Sequence, residues 1–93
     1  MKERIYVDVD TLCDRTGHIN PKTIYWRDGR KFDIQAVRDF RPARKAGYDI
    51  NGDCFTVVIN GYERRLFSER MDSVITSSSY IRWFVEKPLR EQI

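Results

Sequence analysis

From Arg4 to Asp10 apolar and polar side chains alternate without a break, with Ile5, Val7 and Val9 on one face and Arg4, Tyr6, Asp8 and Asp10 on the other. A two-residue period is that of a half-buried strand, so a first strand is predicted over 3–11. Asp14, Gly17, Asn20 and Pro21 then cluster within 13–21, a composition that reads as a loop.

A first hairpin is predicted around Arg27-Asp28-Gly29, joining Thr23–Trp26 to Arg30–Ile34. Its loop length follows from side-chain facing. A two-residue Asp28-Gly29 loop would oppose Arg27 to Arg30 and Ile24 to Asp33, bringing like charges together. A three-residue loop with Gly29 in the left-handed position of a G1 bulge instead pairs Trp26 with Arg30 and Ile24 with Phe32. Ile24, Trp26, Phe32 and Ile34 then share one face, so this register is preferred. The third strand is expected to run on through Val37 and Phe40, with a bulge near Gln35-Ala36 where the phase slips, until Pro42 ends regular pairing. Residues 46–53 read as a turn-rich loop.

Asn60-Gly61, between Phe55–Ile59 and Tyr62–Phe67, is the strongest turn signal in the chain and fits a type I′ hairpin. In that register Ile59 faces Tyr62, Val57 faces Arg64 and Phe55 faces Leu66. This face is taken as the core, with Arg64 as its anomaly. Arg64 has two readings, a side chain snorkelling at a barrel mouth or the mark of a pocket or interface. Met71, Val74 and Ile75 recur at helical spacing after Ser68, which admits a short helix over 68–78 before the serines at 77–79. Alternation resumes from Tyr80 to Glu86, with Ile81, Trp83 and Val85 on one face, and Pro88 stops it. Residues 88–93 are expected to fray.

Six strands, short links and at most one short helix predict a mainly β, antiparallel barrel or half-barrel of SH3-like form. The 93 residues form one domain with a thin core, and 41% apolar and 13% aromatic content argues against disorder. No apolar run approaches the ~18 residues of a membrane span, and the first residues lack a secretory apolar region, so a cytoplasmic protein without a membrane partner is expected. Cys13 and Cys54 are expected to be free thiols. Without a Cys-x-x-Cys and with His18 as the only histidine, neither a metal nor another cofactor is expected.

Charge is uneven although the net value is only +3. Residues 27–45 hold seven basic against three acidic side chains, a pointer to an anionic partner. Arg38, Arg41, Arg44 and Lys45, with the ring of Tyr25, are the candidate binding residues. Asp8 and Asp10 project from one strand face but read as a solvated pair, since no third ligand stands near in sequence. Asp49–Asp53 begins like a calcium loop, yet Cys54 and Asn60 occupy positions that need glycine and glutamate. Cys13 and His18 are the one thiol and imidazole that could form a nucleophile and base.

The segments Ile5–Val9, Pro21–Ile34, Arg41-Pro42-Ala43, Ala46-Gly47, Ile59-Asn60-Gly61, Leu66-Phe67 and Arg82–Glu86, with Val37, resemble a group of short bacterial proteins found mainly in Gram-positive species. The chain departs from that group in its longer 68–79 connection. The resemblance implies a small β-barrel-like scaffold and no activity. The expected function is therefore a non-enzymatic binding module for a protein partner. Self-association through Tyr80, Arg82 and Phe84, or through strand edges, is one form of it. Nucleic-acid binding by the 38–45 segment is the rival, and an enzyme built on Cys13 and His18 comes third.

Overall fold

The computed structural model describes residues 4–87 as one curled, wholly antiparallel sheet of seven strands: β1 Ile5–Cys13, β2 Ile19–Tyr25, β3 Lys31–Asp33, β4 Ala36–Pro42, β5 Gly52–Ile59, β6 Tyr62–Ser73 and β7 Ser78–Val85. Their order across the sheet is β3-β2-β1-β7-β6-β5-β4, so β3 and β4, adjacent in sequence, lie at opposite edges. Only Ile34 and Gln35 separate them. The Ile34 amide donates to Lys22 O of β2 at 2.9 Å and the Gln35 amide to Val58 O of β5 at 2.8 Å. Two residues can bridge the two edges only if the sheet rolls nearly shut there, making this the closed end of a half-barrel. The expected tail at 88–93 lies outside the described residues.

Both hairpin registers follow the turn chemistry. At the first, Ile24 pairs with Phe32, the Trp26 amide donates to Arg30 O at 2.9 Å, and Gly29 has φ +90°. At the second, Asn60 and Gly61 take φ 52° and 81°, the two left-handed conformations of a type I′ turn, and set Ile59 opposite Tyr62 and Phe55 opposite Leu66. Ile5, Ile24, Phe32, Phe55, Val57, Ile59, Leu66, Trp83 and Val85 form the concave core, with Val7, Val9, Trp26 and Ile34 packed against it.

Three expectations are corrected. Seven strands are present rather than six, because the run through Ile34 changes edges instead of bulging at Gln35-Ala36; the register slip falls between Val37 and Asp39. No helix forms over 68–78: β6 runs to Ser73, β7 starts at Ser78, and Met71 pairs with Tyr80 in one long hairpin. The loop expected over 13–21 is confined to 14–18, with Cys13 and 19–21 in strands, and it turns at Asp14, whose Oδ1 accepts the Thr16 and His18 amides at 2.9 and 3.0 Å. Pro21, which has no amide to donate, sits in β2 beyond the stretch that β3 pairs.

The turn-rich loop expected over 46–53 is present over 47–51, and it serves as a lid on the convex face. A short 3₁₀ helix, Ala43–Ala46, ends at Gly47, φ +92°, where the Tyr48 amide returns to Ala43 O at 2.9 Å. Ala43, Ile50, Cys54, Phe67 and Phe84 form a second buried cluster on the convex face, with Ala46 and Tyr48 against it. β5, β6 and β7 are thus buried on both faces at Cys54-Phe55, Leu66-Phe67 and Trp83-Phe84-Val85 respectively.

Candidate functional site

The half-barrel closes at the Ile34-Gln35 end and opens at the other. β1 explains part of this: it pairs with β7 only from Ile5 to Val7 and with β2 from Asp8 onward, so β1 and β7 diverge beyond Val7. At the open end a cleft of about 510 Å³ lies between the Asp14–Asn20 turn and β4, β5 and β7. Its floor is a row of rings: Phe40 packs on Phe55 at 4.9 Å between centroids, and Phe55 on Trp83 at 5.4 Å. Ile19, Val37 and Ile81 border it, and all three are exposed, as is Phe40 at 53%.

The polar groups of the cleft are Asp14, His18, Asn20, Asp53 and Ser68; no lysine or arginine lines it, although the chain carries 17 of them. Asp14 is committed to its turn, since Thr16 Oγ1 also donates to Oδ1, at 2.7 Å, and these hydrogen bonds hold its carboxyl below the ordinary carboxylate value. His18 Nδ1 lies 2.7 Å from Thr16 Oγ1 and 3.8 Å from Asp14 Oδ2. Asp53 differs. It is set inward between Pro42 and Ser68, and burial, with no hydrogen bond or cation among the described residues to offset it, pushes its carboxyl up.

That upward shift has a testable sign. A carboxylate whose folded pKa is raised costs stability when ionised, and the cost vanishes below its unfolded pKa. Asp53→Asn is therefore expected to have a higher urea midpoint than the parent at pH 7 and an equal one at pH 3. A lower midpoint at pH 7 would mean that Asp53 is paired after all.

The residues anticipated from sequence are placed as follows. Arg38 sits at the β4 bulge, Arg41 pairs with Asp39 at 2.6 Å, and Arg44 and Lys45 are exposed on the 3₁₀ helix; among the described residues Arg38, Arg44 and Lys45 have no ion pair. Tyr25 is not with them. It lies on β2, five strands away in the sheet order, with its hydroxyl bound to Asp10 and Lys31 Nζ 5.8 Å above its ring.

Arg64 is half-buried on β6 with its guanidinium 5.8 Å over the Tyr62 ring. Tyr80, Arg82 and Phe84 do not form one exposed patch. Tyr80 is exposed, but Phe84 is 1% exposed beneath Arg4, whose guanidinium lies 5.0 Å over its ring, and stacks on Phe67 at 4.9 Å. Arg82 sits over Tyr6, its guanidinium carbon 4.2 Å from the ring centroid, and Nη2 donates to Glu69 at 3.3 Å. Arg4 and Tyr6 share that carboxylate, at 2.9 and 3.1 Å, which ties the N-terminal strand to β6 and β7.

Cys13 Sγ contacts Asp14 O at 3.7 Å while His18 turns to Thr16 and Asp14, so the thiol and imidazole are not brought together. Cys54 is buried under the lid. No group of three or more His, Cys, Asp or Glu among the described residues could hold a metal ion. No described helix is long and apolar enough to cross a membrane. The cleft went unread in the sequence because its exposed apolar residues come from β2, β4 and β7, and only the roll of the sheet brings them together. Compared with protein-family models, with curated proteins and with solved structures, the chain matches none.

Proposed function

We propose that this chain is a non-catalytic binding module whose partner docks in the cleft at the open end of the half-barrel. One observation carries the reading. Most exposed apolar side chains on a small domain are scattered, and scattered ones need no explanation. Here Ile19, Val37, Phe40 and Ile81 converge on a single concavity floored by rings. Concave, mainly apolar surfaces with a few polar groups are the usual form of binding sites.

A second reading, nucleic-acid binding, is favoured by Arg38, Arg44 and Lys45, which have no ion pair among the described residues. It is weakened by geometry. Single strands are held where cations take the phosphates beside rings that take the bases. Phe40 pairs inward with Phe55 in the cleft, whereas Arg41 pairs with Cys54 on the convex side and none of Arg38, Arg44 and Lys45 lines the cleft.

Amide shifts followed by NMR separate the two readings. A library of small apolar fragments is expected to move Ile19, Val37, Phe40 and Ile81, and Phe40→Ser is expected to abolish the effect with less than ~1 kcal/mol change in stability, the side chain being half exposed. Single-stranded RNA at low salt is expected to leave all residues unmoved. Salt-sensitive RNA shifts at Arg38, Arg44 and Lys45, with none from the fragments, would replace the first reading by the second.

A further inference from the structure

We infer that the occupant of the open-end cleft is an extended peptide segment that places a lysine or arginine against Asp53 and apolar side chains to either side of it. The inference rests on the proposed role of the cleft and names the chemistry of its partner. Charge complementarity carries it. The chain is basic overall, yet this largely apolar cleft is lined by the carboxylates of Asp14 and Asp53 and by no lysine or arginine.

Asp53 is set for such a group. Its strand neighbours on the inner face are Pro42 and Ser68, neither of which can neutralise it, and the aromatic row begins two residues along at Phe55. A carboxylate desolvated without a partner is unfavourable in the free protein. An incoming ammonium or guanidinium removes that cost, and the faces of Phe40 and Trp83 are attractive to a cation as well. Asp14 adds negative potential from across the cleft while remaining bound to its own turn.

The apolar border indicates a chain rather than a lone amine. Val37 and Phe40 border the cleft from β4, Ile81 from β7 and Ile19 from β2, and one cationic group held at Asp53 leaves such a border uncovered. Side chains of an extended segment, projecting at intervals of two residues, can cover it. A second copy of the chain adding along the β4 edge is disfavoured by that edge itself, where the register slips at Arg38 and Pro42 offers no amide.

The test is selection from a random decapeptide display library on the full chain, in parallel with Asp53→Asn and Phe40→Ser, followed by titration of the winning peptides and of cadaverine against tryptophan fluorescence, to which Trp26 and Trp83 both contribute. Winners with Lys or Arg flanked by apolar residues are expected, weakened at least tenfold by Asp53→Asn and abolished by Phe40→Ser. Cadaverine is expected to bind at least a hundredfold more weakly. Neutral or acidic winners that still require Phe40 would overturn the cationic inference and leave the cleft reading standing. Winners indifferent to both substitutions, or no winners, would overturn both. Cadaverine binding as tightly as the peptides would overturn the peptide, and binding sites filled by concentration-dependent dimerisation would overturn the foreign partner.

Discussion

Phe67→Ala is expected to destabilise the domain by about 3–5 kcal/mol, the range for truncating a fully buried phenylalanine. A domain of this size has only ~5–14 kcal/mol in total, so the urea midpoint should fall by about a fifth or more with the slope unchanged. The position is the centre of the convex cluster. Phe67 is 0% exposed, with the Tyr48 ring edge-on at 4.6 Å and the Phe84 ring stacked at 4.9 Å and 9°. Tyr48 is held over it by its hydroxyl, which donates to Glu86 at 3.0 Å and accepts from Arg65 at 3.3 Å. Removing the ring takes the floor from the lid, so amides near Tyr48 and Ile50 should lose hydrogen-exchange protection before those of β5. A cost below ~1 kcal/mol would mean that the lid does not pack and that the convex face is solvated.

This residue also marks where the sequence was misread. Alternation assigns one strand face to core and the other to solvent, and in the second hairpin it chose Phe55, Val57, Ile59 and Leu66, which are buried. It has no place for a strand buried on both sides. The signal was there as continuous apolar stretches, Val57-Val58-Ile59, Leu66-Phe67 and Trp83-Phe84-Val85, which a one-sided pattern would not contain. The helix at 68–78 failed for the opposite reason. Met71, Val74 and Ile75 fit a helical period, but Val74 and Ile75 are more than nine-tenths exposed in the hairpin turn, so their spacing served no buried face.

What was legible depended on local chemistry. Gly29, Asn60 and Gly61 need positive φ, few residues supply it cheaply, and each turn type allows one register. The edge-to-edge crossing at Ile34-Gln35 carries no such mark. It was read as a bulge because both a bulge and a change of strand partner reset the facing of side chains. The cleft depends on that crossing and on the divergence of β1 from β7, both non-local. In sequence Asp53 stands only in a segment that begins like a calcium loop and lacks its glycine and glutamate, and nothing in its neighbours announces a carboxylate without a partner.

Gly52→Ala is expected to cost about 3 kcal/mol, from a backbone overlap at ~1–3 kcal/mol together with one or more disrupted ladder hydrogen bonds at ~0.5–1.5 each. The reason is proximity. A Cβ at Gly52 would stand 1.8 Å from Ser68 O, 2.8 Å from Ser68 C and 3.1 Å from Glu69 Cα, all of them backbone atoms of β6 that cannot rotate aside. The strands must separate where Gly52 pairs with Glu69 and where the Arg70 amide donates to Asn51 O at 2.7 Å. Gly17 is the control. It has φ +90° but open space around a Cβ, so Gly17→Ala should cost only the left-handed penalty of ~1–2 kcal/mol. Gly52 also joins the two halves of the functional argument, with Ile50 of the lid before it and Asp53 of the cleft after it. The variant should therefore loosen the lid and weaken peptide capture together, whereas Phe40→Ser should remove capture and leave the lid protected. Equal urea midpoints for Gly52→Ala and the parent would mean that β5 and β6 do not approach as described, and the inward setting of Asp53 would fall with them.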